Sequence, residues 1–430
     1  MKILITDEMS LSSTASPFNR SFLYSFSFVP TVLTARQLAA VTPENHTVTI
    51  LEGKRALDYD AAFDVVHINC KTATAPRAYE IADVFRKKGR TVVLSGYHPT
   101  ALPDEAKQHA DSVIVGDAVM LWPMVVKDLE HHDLRSFYRS EDYQGSLRIP
   151  STRKIPLKLL QLTNSVEATK GCPQKCDFCQ DANIRDGSFF RTRQIDDVID
   201  EIASLRQKIF FFTDFSLTID LSYTKTLFRR MRGLRKRFVC GGNVDVLAED
   251  DELLRLSREA GCIEWISGFE TFSQESLRGV HKKTNIVEEY ARAVKKIHRQ
   301  RMAVFGTFVL GFDEDTPDIF PTMQSHIRDL GIDAVNFSLL TPYPGTPLFH
   351  RLEIEGRLLT KDWSKYNRKT VVFQPCKMTK EELEKGFQMV TRYFSSLPYF
   401  GYRTVRNMRL GWYPFLASFA GNLGQYMRTL

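Results

Sequence analysis

The chain has 430 residues, 43% of them hydrophobic and 25% charged. These proportions suit a folded globular protein and exclude a disordered or fibrous chain. No uninterrupted apolar run reaches the length of a membrane span. The formal net charge is +7, but the cations are mostly dispersed, so no nucleic-acid partner is expected.

The length predicts two or three domains. The start, Met1-Lys2-Ile3-Leu4-Ile5-Thr6-Asp7, reads as a strand and not as a signal peptide. The seven cysteines, scattered apart from one short run, point to a reducing cytoplasm. Residues 1–145 alternate apolar strands with helical patterns. Strands are expected at Lys2–Asp7, Thr47–Leu51, Asp64–Asn69, Thr91–Gly96 and Ser112–Gly116, and helices at Thr31–Ala40, Pro76–Lys88, Asp104–Ala110 and Met120–His131. Short apolar strands with helical crossovers imply a doubly wound parallel sheet. Its ligands bind at the C-terminal strand ends, which carry Asp7, Asn69, Gly96 to His98, and Gly116-Asp117.

Residues 146–345 alternate again, with strands expected at Ser165–Thr169, Lys208–Asp214, Arg237–Asn243, Cys262–Glu270, Met302–Gly311 and Ala334–Leu340. Helical patterns fall at Ile195–Leu205, Glu252–Ala260, Val287–Arg299 and Ile319–Leu330. Six βα units suggest a partial barrel with its active site at the C-terminal strand ends. The basic run Arg229–Arg237 reads as the solvated face of a helix. Residues 346–430 read as helical, including Lys380–Phe394 and a tail from Tyr399 that mixes arginines with Trp412, Tyr413, Phe415 and Phe419. Such a tail packs as an ordinary helix pair, covers the active-site mouth, or makes a peripheral membrane contact; the packed pair is the expected arrangement.

Directly after the first strand of the second region comes Lys170-Gly171-Cys172-Pro173-Gln174-Lys175-Cys176-Asp177-Phe178-Cys179. Three thiolates at C-x3-C-x2-C spacing, with no fourth Cys nearby, leave one iron of a [4Fe-4S] cube open for chemistry. Structural zinc sites use four ligands, often in two pairs or with His; no His lies between Cys172 and His281. A zinc-bound interaction module is therefore the weaker reading.

This cysteine loop, with an aromatic residue before its last Cys, resembles the radical S-adenosylmethionine (SAM) superfamily. The segments Ser95-Gly96-Tyr97-His98-Pro99-Thr100 and Ala110–Gly116, with Trp122-Pro123 and Thr341–Phe349, resemble its subgroup with an N-terminal vitamin B12-binding-like domain. The resemblance implies a B12-binding-like Rossmann domain over 1–145, a radical SAM (βα)6 core over 146–345 and a helical C-terminal region over 346–430. Cys172, Cys176 and Cys179 would hold the cluster. SAM would be met by Phe178, by the strand-end residues Asp214, Asn243 and Glu270, and by Val309 and Gly311 in a segment where Thr307 replaces the usual first Gly. Gly96 and His98 are the candidates facing cobalamin, although no Asp-x-His motif for a cobalt ligand occurs.

The implied activity is reductive SAM cleavage to functionalise an unactivated carbon, with cobalamin-dependent methyl transfer as the leading reading. Cobalamin-independent cyclisation, rearrangement, dehydrogenation or epimerisation is the alternative. A tRNA methylthiolase would carry three Cys in the first domain, where this chain has only Cys70. The implied partners are a small-molecule or lipid-like substrate and a one-electron reductant of flavodoxin or ferredoxin type.

Overall fold

The computed structural model describes residues 1–6, 33–51, 57–142, 150–152, 163–184 and 190–427. Asp7, the first residues of the expected helix 31–40 and the boundary at 145/146 lie outside them. Two parallel six-stranded sheets form the body.

The first sheet contains β1 (Lys2–Thr6), β2 (Thr47–Leu51), β3 (Val65–Asn69), β4 (Thr91–Ser95), β5 (Ser112–Val115) and β6 (Phe137–Arg139) in the order β2-β1-β3-β4-β5-β6. Both faces are covered, as an all-parallel sheet requires. Helices Leu33–Val41 and Ala118–Glu130 bury Ile3, Ile5 and Trp122 on one side; Ala75–Lys87 buries Leu4, Val66 and Ile68 on the other. Strand β6 was not expected: three residues are too few to show a period, and only Tyr138 in it is buried. The helix expected at Asp104–Ala110 runs from Pro103 to Lys107, and a further short one that was not expected, Tyr97–Ala101, precedes it. Pro103 cannot donate to the preceding turn, so the helix breaks and restarts there.

After this come β7 (Thr163–Val166), the short antiparallel pair β8 (Thr169–Lys170) and β9 (Arg191–Thr192), then β10 (Ile209–Phe212), β11 (Arg237–Gly241), β12 (Cys262–Glu270), β13 (Ala303–Leu310) and β14 (Ala334–Leu339). The second sheet runs β14-β13-β12-β11-β10-β7, sequential and open at both ends, which is the expected partial barrel. Phe210, Phe212, Phe238, Trp265 and Phe308 face the outer helices. The alternate residues Phe211, Val239 and Ile263 face inward, against Ala417.

The helix Trp412–Met427 lies along that inner surface. A Cβ on Gly421 would sit 3.2 Å from Ala334 and Phe305, so only a small residue lets helix and strands approach this closely. The tail is anchored where β14 begins. Arg406 donates to Gly331 O and Ile332 O at 2.9 Å and pairs with Asp333 at 3.0 Å, while Asn407 and Asn422 donate to Asp333 O at 3.2 and 2.9 Å. The tail therefore packs as a helix pair at the N-terminal strand ends and does not cover the opposite, C-terminal end. The basic run Arg229–Arg237 is not one helical face. The helix Leu221–Met231 carries Arg229 and Arg230, and Arg237 opens β11, because Gly233 at φ 91° turns the chain between them.

Candidate active site

The cysteine loop leaves β7 at the C-terminal edge of the barrel. Asp214, just past β10, fixes its root: the buried carboxylate accepts hydrogen bonds from Ala168 N at 3.1 Å, from Thr169 N, and from Thr169 Oγ1 at 2.7 Å. Burial, assisted by the charge of Glu167, pushes this carboxyl up to about 7 against the pull of those donors. Gly171 then turns the chain at φ 87°.

Inside the loop, Cys179 N–H donates to Cys176 O at 3.1 Å, and Asn183 Nδ2 donates to Cys176 O and Cys179 O at 2.8 and 2.7 Å. Asp177 ties the loop to neighbouring segments. Its N–H meets Val280 O at 3.1 Å, its carbonyl takes Leu348 N–H at 3.1 Å, and its carboxylate lies 2.9 Å from His281 Nδ1. Cys179 opens the short helix Gln180–Asn183.

The three thiols share one partly apolar environment. Burial pushes Cys176 up to about 12, with the charges of Cys179, Glu270 and Cys172 adding to the shift and Lys282 opposing it. Burial also raises Cys172 and Cys179, but each sulfur receives backbone N–H donors, Gln174 at the first and Ala182 and Asp181 at the second. Among the described residues no three His, Cys, Asp or Glu side chains are drawn into metal-ligating position. The donor chemistry nonetheless fits an iron–sulfur cluster: thiolate ligands, N–H groups aimed at sulfur, and an aromatic and aliphatic wall that limits water.

Around this loop, Glu270 ends β12 with φ 64°, a left-handed conformation that a non-glycine residue adopts at a cost and that marks functional sites. Its carboxylate lies 3.3 Å from Lys282 Nζ. Lys282 faces Glu270, Cys176 and Cys179, all of which raise its affinity for a proton against burial, and it also acts on Asp245. Reading residues at strand ends missed Lys282 because it sits in the turn after helix Gln274–Gly279; its only sequence signal is the run His281-Lys282-Lys283.

Phe178 and Val309 fall in one apolar cluster with Val280, Phe312, Leu348 and Phe373. Gly311, at φ 103°, donates its N–H to Asp315 at 2.9 Å. Asn243 is half-buried at the start of helix Val244–Glu249 without a capping bond from its side chain, and its N–H reaches Thr218 Oγ1 at 2.9 Å.

Gly96 and His98 lie apart from this group. Gly96 (φ 111°) is pressed on the Cys70 carbonyl and Asn69, where a Cβ would collide. The His98 ring is fully enclosed. Its Nε2 is 2.9 Å from Glu105, whose carboxylate also accepts Trp363 Nε1 at 3.2 Å and Tyr79 OH at 3.1 Å. His98 thus belongs to a buried polar knot that joins the first sheet's helices to the C-terminal region. The strand-end loops of the first sheet still meet the cysteine loop. Thr72 Oγ1 accepts from Gln180 at 3.4 Å, Tyr97 OH bonds Asp181, and Asp117 pairs with Lys170 at 2.9 Å. The C-terminal edges of the two sheets therefore face each other across the cysteine loop.

A family model described as the radical SAM superfamily matches residues 166–327. The bacteriochlorophyllide d C-12(1)-methyltransferase of Chlorobaculum tepidum is 31% identical over 349 residues, 77% of this chain and 75% of that protein. The chain belongs to the radical SAM superfamily. The bacteriochlorophyllide d C-8(2)-methyltransferase of the same organism is 28% identical, over 77% of this chain and 78% of the relative. The radical SAM methyltransferase TsrM from Kitasatospora setae, solved with cobalamin and a [4Fe-4S] cluster bound, shares the fold at a TM-score of 0.67 and 16% identity, covering 90% of this chain and 84% of its own.

Proposed function

We propose that this radical SAM enzyme transfers a methyl group, with cobalamin as the methyl carrier, to an unactivated carbon of a chlorin-type tetrapyrrole. The observation that carries the reading is the similarity over three quarters of the chain to two methyltransferases named for bacteriochlorophyllide d. The facing strand edges of the two sheets support it, because ligands of a parallel sheet bind at the C-terminal strand ends, here the edge that meets the cysteine loop. When bound, the [4Fe-4S] cluster with SAM supplies a carbon-centred radical, and cobalamin supplies the methyl group.

The chain's own part is to bind and shield. Cys172, Cys176 and Cys179 hold three irons. Glu270 and Lys282 offer an acceptor and a cation for the ribose hydroxyls and carboxylate of SAM. Phe178 and Val309 pack the adenine side, and Asp214 holds the root of the loop. Gly96 keeps the β4 exit close enough to Cys70 to leave the strand edge open to a ligand. The domains divide accordingly at 1–145, 146–345 and 346–430, and a flavodoxin- or ferredoxin-type donor in the cytoplasm provides the electrons.

Anaerobic enzyme loaded with iron and cobalamin, supplied with SAM, a low-potential reductant and bacteriochlorophyllide d, is expected to give a product one methyl heavier, together with S-adenosylhomocysteine and 5′-deoxyadenosine. A modified product without the added methyl, formed equally well without cobalamin, would replace this reading with radical cyclisation, rearrangement, dehydrogenation or epimerisation.

The histidines sharpen the expectation. His98 is bound to Glu105, and His67 is held within the sheet by Ser95 at 2.9 Å, its imidazole pushed down to about 3 by burial. His109 stacks on Tyr79 at 4.3 Å. The Co(II) enzyme is therefore expected to show an electron paramagnetic resonance spectrum without nitrogen splitting from a protein imidazole, unchanged in His98→Ala. Such splitting, lost in His98→Ala, would show that the His98 ring leaves Glu105 to bind cobalt.

A further inference from the structure

The C-terminal segment from residue 385 carries most of the chain's net charge. From residue 385 to residue 430 there is no Asp or Glu, and the six cations Lys385, Arg392, Arg403, Arg406, Arg409 and Arg428 stand against +7 for the whole chain. Arg403 is buried and Arg406 is bound to Asp333, but Lys385, Arg392 and Arg409 are exposed. Beside them the helix Leu397–Asn407, the turn after it and the start of the last helix expose Leu397 (64%), Val405 (70%), Met408 (62%) and Trp412 (67%). Behind Trp412 runs a row of rings, Trp412–Phe415 at 6.2 Å and Phe415–Phe419 at 5.8 Å. The inward side of the same helix is committed to the barrel, so this outward apolar face is left over after folding.

The cationic surface continues past the tail. Lys208, Arg235, Lys236 and Arg237 line a cleft of about 350 Å³ with Tyr413 and one acid, Glu259. The Arg237 guanidinium sits 5.1 Å over the Tyr413 ring, which joins cleft and tail. Arg237 and Arg301 also crowd their like charge onto Arg258. Exposed Trp, Leu, Val and Met beside exposed cations, with Glu259 the one acid in the cleft, give the two signals that durable membrane-surface binding needs, apolar insertion and attraction to anionic headgroups.

We infer that the tail face built from Leu397, Val405, Met408 and Trp412, together with the basic cleft around Arg237, docks on an anionic phospholipid membrane. The occupant is a bilayer surface, which the protein does not span: no helix among the described residues is long and apolar enough to cross a membrane. The surface lies at the N-terminal strand ends, since Lys208 precedes β10, Arg237 opens β11 and Asp333 precedes β14. The cysteine loop is at the other end. Docking therefore holds the enzyme at the membrane with its active-site edge turned away from the bilayer. The inference stands whether or not the substrate is a tetrapyrrole.

The test is flotation of the full-length holoprotein with vesicles of phosphatidylcholine alone or mixed with phosphatidylglycerol. The chain is expected to float with the anionic vesicles, to be released by salt, and to stay behind with the neutral ones. Arg392→Gln with Arg409→Gln is expected to weaken flotation about fivefold per removed cation. Val405→Ser, Met408→Ser and Trp412→Ser combined are expected to weaken it by about tenfold or more, with iron content and SAM cleavage in solution unchanged. No flotation with phosphatidylglycerol vesicles overturns the inference, as does flotation that both variants leave intact. A dimer seen by light scattering that the serine variant dissolves, without flotation of the parent, would assign the face to a second copy of the chain instead. If the serine variant does not fold, the arginine pair and the salt dependence decide alone.

Discussion

Cys176→Ala is expected to leave a folded chain that holds little iron and does not cleave SAM. Cys176 is 5% exposed and sits at the centre of the loop, electrostatically coupled to Cys172, Cys179, Glu270 and Lys282. Removing it takes away one of three ligands, and the cluster cannot recruit a substitute locally: Cys70, Cys240 and Cys262 are buried elsewhere. Disturbing only the partners that orient a metal ligand costs about 10–100-fold in metal affinity or activity, so losing the ligand itself is expected to exceed about a hundredfold. The fold is expected to survive because the loop is held by bonds that do not involve the sulfur, from Asn183 and through Asp177. Iron per chain and 5′-deoxyadenosine formed under reducing, anaerobic conditions measure the effect. Cys376→Ala is the control, since Cys376 is exposed and outside the loop. Retained cleavage in Cys176→Ala, or equal loss in Cys376→Ala, would remove the cysteine loop from the mechanism.

The strands were legible because parallel strands buried on both faces leave near-continuous apolar runs. Thr91–Ser95 and Ile209–Phe212 stand out between polar turns for that reason. The cysteine loop was legible because its spacing carries the chemistry itself. What stayed hidden depends on pairings across the chain. Glu105 and Trp363 are 258 positions apart, and nothing local in either segment says that they close a knot around His98. Lys282 gains its place only when β12 delivers Glu270 to it with a left-handed backbone. The tail showed its arginines and aromatics, but not that its small residues at Ala417 and Gly421 admit it into the barrel. Asp214 was visible as a strand-end acid expected to meet SAM. In the structure its oxygens accept from the backbone of Ala168 and from Thr169, which ties down the root of the loop.

That role predicts a second large effect with a pH signature. Asp214→Asn can keep a carbonyl oxygen where Oδ1 accepts from Ala168 N, Thr169 N and Thr169 Oγ1, but it puts an NH2 group in place of Oδ2, facing the Ala168 N–H, and leaves that buried NH2 without an acceptor. The expected loss is about 1–3 kcal/mol near pH 5, together with reduced iron loading even though all three cysteines remain. The pH dependence runs the other way. The folded protein holds the Asp214 proton more tightly than the unfolded chain, with the carboxyl raised to about 7 from its ordinary value of 3.8. The stabilising contribution is therefore full below the unfolded value and is lost as pH rises through about 7. The parent is expected to lose stability relative to Asp214→Asn by up to about 1.4 kcal/mol per pH unit across that window. Comparing the two proteins isolates this group, because Asp315 and Glu264 are also pushed up by burial, to about 6 and about 8, and titrate in both. Urea unfolding of the anaerobic holoproteins between pH 5 and pH 8 reads the difference. Parallel stability curves would mean that Asp214 keeps its charge throughout and that the hydrogen bonds from Ala168 and Thr169 outweigh its burial.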